Sequence, residues 1–323
     1  MVAALIATGS ALLLAASSAV ASDTQAAPLD LYQLLFARPK LTDAKPNPTE
    51  AARIKLGAAL FSDTRLSKDG NKSCATCHQA PTFTDGLQRA AGRTKPLPRN
   101  TPTLLGIAKS KHFNWDGSAR SLTQQFERPI TSPDEMAGVW PEIVRRLSRD
   151  QMIHRAFAKA FPGVSDSISR TRIKVALAAA VRSLEAPRTR FDDYIAGAQI
   201  ALTPIEQRGL RLFIGKAQCV TCHATGRLTD DRFHDIGVAR HDPGRAGVTG
   251  RPSDQYRFKT PTLRQIAKTA PYMHDGSLAT LEQVVRHYER GGIARPTRAE
   301  TMPERLSLST RERADLIAFL KTL

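Results

Sequence analysis

Cys74-Ala75-Thr76-Cys77-His78 recurs 145 positions on (219 − 74 = 145) as Cys219-Val220-Thr221-Cys222-His223, and the two pentapeptides use all four cysteines of the chain. Two thiols three positions apart can form thioethers to the two vinyl groups of one haem, while the adjacent imidazole rises beneath the iron. Each pentapeptide is therefore a candidate c-type haem attachment site, with His78 and His223 as proximal ligands and two covalently bound haems c as cofactors. The duller readings are a disulfide, a redox dithiol or a zinc site. A dithiol leaves the histidine unused, and the separation far exceeds the roughly 15–20-residue spacer of a zinc ribbon.

The 323 residues allow two domains, and 41% hydrophobic content is enough for buried cores. Residues 1–21 read as a secretory signal, an apolar run from Val2 to Ala16 followed by small residues ending Ala19-Val20-Ala21. Cleavage after Ala21 is expected, retention as an anchor being the alternative, and export with covalent haem attachment places the mature protein in a bacterial periplasm. The net charge is +17, none of it from residues 1–21. A basic surface steers acidic partners, here an acidic redox protein or an anionic membrane surface. The Lys and Arg residues are scattered and nothing resembles a base-reading motif, which argues against nucleic acid.

Residues 28–45 are expected to lie across the surface. Asn47-Pro48-Thr49-Glu50 then opens a helix that carries Ile54, Leu56, Leu60 and Phe61 toward the first pentapeptide. The loop from Gln79 to Asn100 contains no His and no Met. Next comes a repeat: Thr101-Pro102-Thr103-Leu104, Ile107-Ala108-Lys109 and Trp115-Asp116-Gly117-Ser118 match Thr260-Pro261-Thr262-Leu263, Ile266-Ala267-Lys268 and His274-Asp275-Gly276-Ser277 at a constant offset (260 − 101 = 159). The same unit following each haem motif argues for two related domains. Ser132-Pro133-Asp134-Glu135 has the capping-box pattern and predicts a helical region from about Trp140 to Phe161, with a second helix near Ile173 to Leu184. The stretch from Ala186 to Leu202 reads as the domain boundary, giving units of 28–195 and 196–323, because Thr203-Pro204-Ile205-Glu206 starts a new capped helix. A last helix runs from Ser309 with Leu316, Ile317, Phe319, Leu320 and Leu323 inward, and nothing has sustained period-2 character, so the expected fold is all-α.

As a set, the two C-x-x-C-H motifs, Trp115-Asp116-Gly117, Ser132 to Met136 and Ala270-Pro271-Tyr272-Met273-His274-Asp275-Gly276 resemble the bacterial dihaem cytochrome c peroxidase/MauG family over nearly all of the mature chain. That resemblance implies two cytochrome c-like helical domains, a calcium ion between them, and reduction of hydrogen peroxide to water. In that scheme the N-terminal haem meets peroxide and the C-terminal haem holds or delivers electrons. Many relatives close the first haem with a His in the loop that here runs from Gln79 to Asn100. Its absence implies an open sixth position.

Carried over residue by residue, Glu135 matches the family's acid/base, and Gln125 and Pro129 match residues lining the distal face. The bland reading of Glu135 is a helix cap; of Gln125 and Pro129, a helix surface or end. Trp115 matches the tryptophan between the haems, where a buried ring would otherwise be core. Tyr288 stands fourteen residues after His274, where the peroxidases carry an axial Met and MauG-like members carry Tyr; it aligns with Pro129 in the internal repeat, which favours it over the nearer Met273. Asn100 matches the calcium side-chain ligand, and Thr269 and Pro271 the residues giving backbone carbonyls. His234 and His274 are expected near haem 2 as structural histidines.

Three functions follow: a peroxidase fed by a small cytochrome c or cupredoxin, a MauG-like oxidase acting on a protein or organic substrate, and a non-enzymatic electron carrier. A carrier usually keeps both irons six-coordinate, which disfavours the third. Tyr288 and the missing distal His favour the second, and the protein would act as a monomer or homodimer.

Overall fold

The computed structural model describes residues 29–38, 46–92, 94–165, 168–238 and 241–323; the expected signal segment lies outside them. Its first half runs α1 (Leu29–Phe36), α2 (Pro48–Phe61), α3 (Cys74–Cys77), α4 (Leu122–Gln125), α5 (Glu127–Thr131), α6 (Trp140–Ser148), α7 (Gln151–Ala160) and α8 (Arg170–Arg182). Its second half runs α9 (Arg190–Ile195), α10 (Pro204–Ile214), α11 (Val220–His223), α12 (Ala246–Thr249), α13 (Leu281–Glu289) and α14 (Thr310–Leu320). Among the described residues the sheet is a two-residue antiparallel ribbon, β1 (Phe233–His234) with β2 (Phe258–Lys259). The all-α expectation holds.

Each half is built on a crossing of two long helices, and the local sequence starts those helices as expected. Asn47 caps α2 by accepting the Glu50 N–H at 2.9 Å, and Thr203 and Glu206 form the capping box of α10. Gly57 of α2 faces α8, and Gly209 of α10 faces α14. A Cβ at either position would collide with a backbone carbonyl, that of Ala176 or that of Asp315, so glycine is what lets the helices approach this closely. The first core gathers Leu56, Leu60, Ile143, Leu147, Phe157, Ile173 and Leu177. The second is aromatic: Phe36, Phe191, Phe319 and Phe213 form a chain of edge-to-face rings with 5.3 Å between successive centroids.

Four expectations need correction. Ser132 to Glu135 is not a capping box: Ser132 ends α5, its carbonyl accepts the Glu135 and Ala137 N–H groups in a turn, and the next helix starts only at Trp140. The helical region from Trp140 to Phe161 is two helices, because Asp150 breaks the first and caps the second through the Met152 and Ile153 N–H groups. The segment expected on the surface contains α1, whose Tyr32 and Phe36 are buried in the second core. The boundary region belongs there as well, since Phe191, Tyr194 and Ile195 of α9 pack with the same cluster. Arg38 ties the two, donating to the Ala186 and Pro187 carbonyls and to Asp192.

The sequence repeat is a repeat of structure. Phe113 bridges Ala119 as Tyr272 bridges Leu278. Ser121 caps α4 as Thr280 caps α13, and left-handed backbone recurs at Asn114 and Met273 and at Gly117 and Gly276. These loops meet across the seam between the halves, where Arg99 bridges Asp116 and Asp242, and Arg245 donates to the Asp116 and Gly117 carbonyls. No helix of the described residues is long and apolar enough to cross a membrane.

Candidate functional site

α3 is a single helical turn that places Cys74 and Cys77 beside one another with His78 at its end; α11 brings Cys222 and His223 into the same relation after Cys219. His78 Nδ1 lies 2.9 Å from the Phe83 carbonyl and His223 Nδ1 lies 2.8 Å from the Leu228 carbonyl, each five residues on. A carbonyl only accepts, so Nδ1 carries the proton and Nε2 keeps the lone pair that an iron would take. Both carbonyls are aimed by left-handed backbone, φ 58° at Phe83 and 55° at Leu228. Burial pulls both imidazoles below the usual His range, which favours the neutral, ligating form.

The four cysteines are not paired with one another. No disulfide forms, and a zinc site is not assembled either. Among the described residues the group of close metal-ligand types is Cys222, Asp230 and His234, which includes one cysteine and neither motif histidine. Within it His234 Nε2 pairs with Asp230 at 2.7 Å. That pairing and the neighbouring Cys222 sulfur hold His234 up to about 9.

In the second half a cavity of about 250 Å³ opens over the attachment residues Cys219, Cys222 and His223, and both Tyr288 and Met273 face into it. Two cysteines three positions apart, a ligand nitrogen and the cavity over them fit a covalent haem. Burial, then the Cys219 and Cys222 sulfurs, push the Tyr288 hydroxyl well above its ordinary value, and no described residue hydrogen-bonds it. His274 lines the same cavity, stacked on Phe258 at 3.6 Å, with Nε2 buried and unpartnered.

The first half differs at the repeat position of Tyr288. Pro129 has no N–H to donate to the turn before it, and the stretch equivalent to the continuous α13 is broken into α4 and α5 at Phe126. Gln125 Oε1 is buried there with no partner. Glu135 sits in the following turn, where burial raises its carboxyl above the usual range against the opposing Arg128. The Glu135 charge is felt by Cys77, which ties that carboxylate to the first attachment site.

Between the halves, Trp115 lines the cavity over His223, donates from Nε1 to the Asn100 carbonyl at 2.9 Å, and its own carbonyl accepts the Lys259 N–H at 2.7 Å. Asn100 is buried, and its side-chain amide reaches the Pro271 carbonyl of the other half at 3.1 Å; Thr269 lines the same cavity. Turning that amide by half a turn brings Oδ1 beside the carbonyl oxygen, the neighbouring-oxygen arrangement a hard cation requires. Sequence reasoning missed the Phe83 and Leu228 carbonyls and Lys259. The first two were findable, since 83 and 228 share the 145-residue offset of the haem motifs.

Residues 51–200 match the family described as di-haem cytochrome c peroxidase, and residues 206–323 match cytochrome c. The chain is 43% identical over 316 residues to the methylamine utilization protein MauG of Methylorubrum extorquens, covering 95% of this chain and 89% of that one. It is 34% identical to the cytochrome c551 peroxidase of Nitrosomonas europaea, covering 85% and 81%. The crystal structure of a MauG-like protein associated with microbial copper homeostasis matches it with a TM-score of 0.81 at 35% identity, covering 88% of this chain and 94% of that one.

Proposed function

This chain belongs to the di-haem cytochrome c peroxidase family that includes MauG, an oxidoreductase family carrying two haems c, and on that premise we propose that it consumes hydrogen peroxide at the haem of His78 in the MauG-like manner, without prior reduction. The observation that carries this reading is the asymmetry at one repeat position: Pro129, whose side chain has no ligand atom, in the first half, and Tyr288 facing the attachment residues of the second.

The overall change is H2O2 + 2 e⁻ + 2 H⁺ → 2 H2O. When bound, the haem supplies an iron to hold one peroxide oxygen and electrons to cleave the O–O bond. Glu135 would take a proton from one peroxide oxygen and return it to the other, which leaves as water; its raised carboxyl suits both halves of that transfer. Gln125 would orient the peroxide through a side chain whose buried Oε1 has no hydrogen-bond partner. Trp115, tied to both halves through Asn100 and Lys259, lies on the route for electrons between the two sites. Tyr288 would ligate the second haem as an anion that stabilises ferric iron, making that haem a poor store of ferrous electrons and a better holder of oxidising equivalents. Electrons then come from an acidic redox protein or from a protein or organic substrate that is thereby oxidised, steered by the +17 charge in a periplasmic setting. Asn100, Thr269 and Pro271 would hold one Ca²⁺ through oxygen.

The test is rapid mixing of the all-ferric holoprotein with hydrogen peroxide, followed optically. A prompt spectral change with peroxide consumed and no added reductant is the expected result. Reaction only after one electron is added points instead to a reductively activated peroxidase, and inertness in every redox state to an electron carrier.

A further inference from the structure

Seven residues after each motif histidine stands an aspartate, Asp85 after His78 and Asp230 after His223, at the offset of the motifs themselves (230 − 85 = 145). The charge of each acts on the histidine of its own half. Each carboxylate also takes a threonine hydroxyl from the repeated unit, Thr101 at 2.9 Å in the first half and Thr260 in the second. The Asp230 N–H donates to the Cys222 carbonyl at 2.8 Å, which fixes that carboxylate to the attachment turn.

To this shared arrangement the second half adds a histidine. His234 Nε2 lies 2.7 Å from Asp230 Oδ2, and the β1–β2 ribbon holds the ring there by pairing His234 with Phe258. Cys222 Sγ, an Asp230 oxygen and a His234 ring nitrogen all lie within 4.8 Å of one another, so the pair sits against a sulfur that would carry the haem. The side chains are 21% and 18% exposed, so water screens them only in part. Haem attachment turns the Cys222 thiol into a thioether but leaves the Asp230 contact, the larger of the two influences on His234. At the ligand itself the two charges oppose each other: Asp230 raises the proton affinity of His223 and His234 lowers it. In the first half the position of His234 (234 − 145 = 89) is Arg89, which is exposed. Among the described residues the partners of Asp85 are the Leu87 N–H and the Thr101 hydroxyl.

We propose that His234 is a positioning residue of the second haem: its positive charge, held by Asp230 against the Cys222 sulfur, offsets that carboxylate and keeps the potential of this haem up. A carboxylate left alone beside a haem favours the ferric state, and a cation next to it removes that preference. An oxidising equivalent placed on this haem therefore keeps its driving force toward an external electron donor. That last role rests on the peroxide reading above, whereas the potential rests only on haem attachment at Cys219 and Cys222.

The experiment is a spectroelectrochemical titration of both haems of the holoprotein near neutral pH. His234→Gln keeps a polar side chain beside Asp230 and removes the charge. It should shift the reduction equilibrium of the second haem toward ferric by about threefold to thirtyfold, about 30–90 mV at about 59 mV per tenfold, and leave the first haem in place. Adding Asp230→Asn removes the opposing charge, and the double variant should return to the wild-type potential. A His234→Gln potential equal to wild type overturns the proposal. So does a double variant that stays low or falls further, because a second substitution deepens lost packing but cancels lost charge. Should His234→Gln fail to take up its second haem, Asp230→Asn decides at a pH of about 5.5, where a histidine of ordinary pKa is charged. The uncompensated His234 should then raise the second-haem potential above wild type, and no rise overturns the proposal.

Discussion

Where the first half of the chain has Pro129 the second has Tyr288, and where the first has Gln125 the second has Val284, each pair 159 residues apart. The scaffolds around these positions agree closely: each histidine is held by a carbonyl five residues on, each long-helix crossing depends on a glycine, and the caps and left-handed turns recur in register. On the proposed reading, a shared scaffold with different distal side chains directs one haem fold to two tasks. The motif histidines and the packing are kept, while the repeat positions proposed as distal change from Gln125 and Pro129 to Val284 and a buried phenol.

Glu135 offers the hardest test of that contrast. The Glu135→Gln variant keeps the side-chain size but cannot shuttle a proton, so the peroxide reaction of the ferric protein should slow by about 10²–10⁴-fold. The spectrum of the second haem should not change. Stopped-flow absorbance at several peroxide concentrations measures this, and a rate within a few-fold of wild type would remove Glu135 from the mechanism.

A smaller effect is expected on the other side. Tyr288→Met replaces an anionic ligand with a thioether and should raise the potential of the second haem by on the order of 100 mV while leaving the first in place. Spectroelectrochemical titration separates the two haems. A second-haem potential that does not rise would mean that Tyr288 is not its ligand and that Met273, which faces the same cavity, is the residue to replace next.

Much of this was legible in the sequence because it is written in short-range signals. The two C-x-x-C-H motifs, the cap at Asn47, the box at Thr203 and the 159-residue repeat each depend on residues within a few positions of one another or on a fixed offset. What was not legible depends on distant partners. Ser132 and Glu135 carry the residue types of a capping box, yet the turn they form is set by α5 ending against them, and Glu135 is thereby released from capping. The α1 helix reads as a surface segment until Phe191 supplies the ring that Phe36 packs against, more than 150 residues later. Lys259 reads as one of many scattered cations until the ribbon buries it beside Asp231.

A finer difference between the halves lies behind the distal faces. Glu127 of α5 ties three helices together: it accepts the Trp140 Nε1–H of α6 at 2.9 Å and pairs with Lys174 and Arg170 of α8, each at 2.8 Å. Its repeat mate in the second half is Arg286, whose partner is Glu282 on its own helix; there α13 is tied to α14 instead by Arg313, which pairs with Glu282 and Glu289. Partial burial works against the Glu127 charge, but Lys174, Trp140 and Arg170 outweigh it and hold the carboxyl down at about 2. A carboxyl depressed in the folded state stabilises fully above its unfolded value of 4.5 and loses that contribution as pH falls toward about 2. Glu127→Gln keeps the acceptor for Trp140 but not the charge. It should cost about 0.5–1 kcal/mol near neutrality, the scale of a partly exposed ion pair. The gap between variant and wild type, read from denaturant midpoints, should close between pH 4.5 and 2. A gap constant across that window would assign the contribution to the Trp140 hydrogen bond and helix packing rather than to charge.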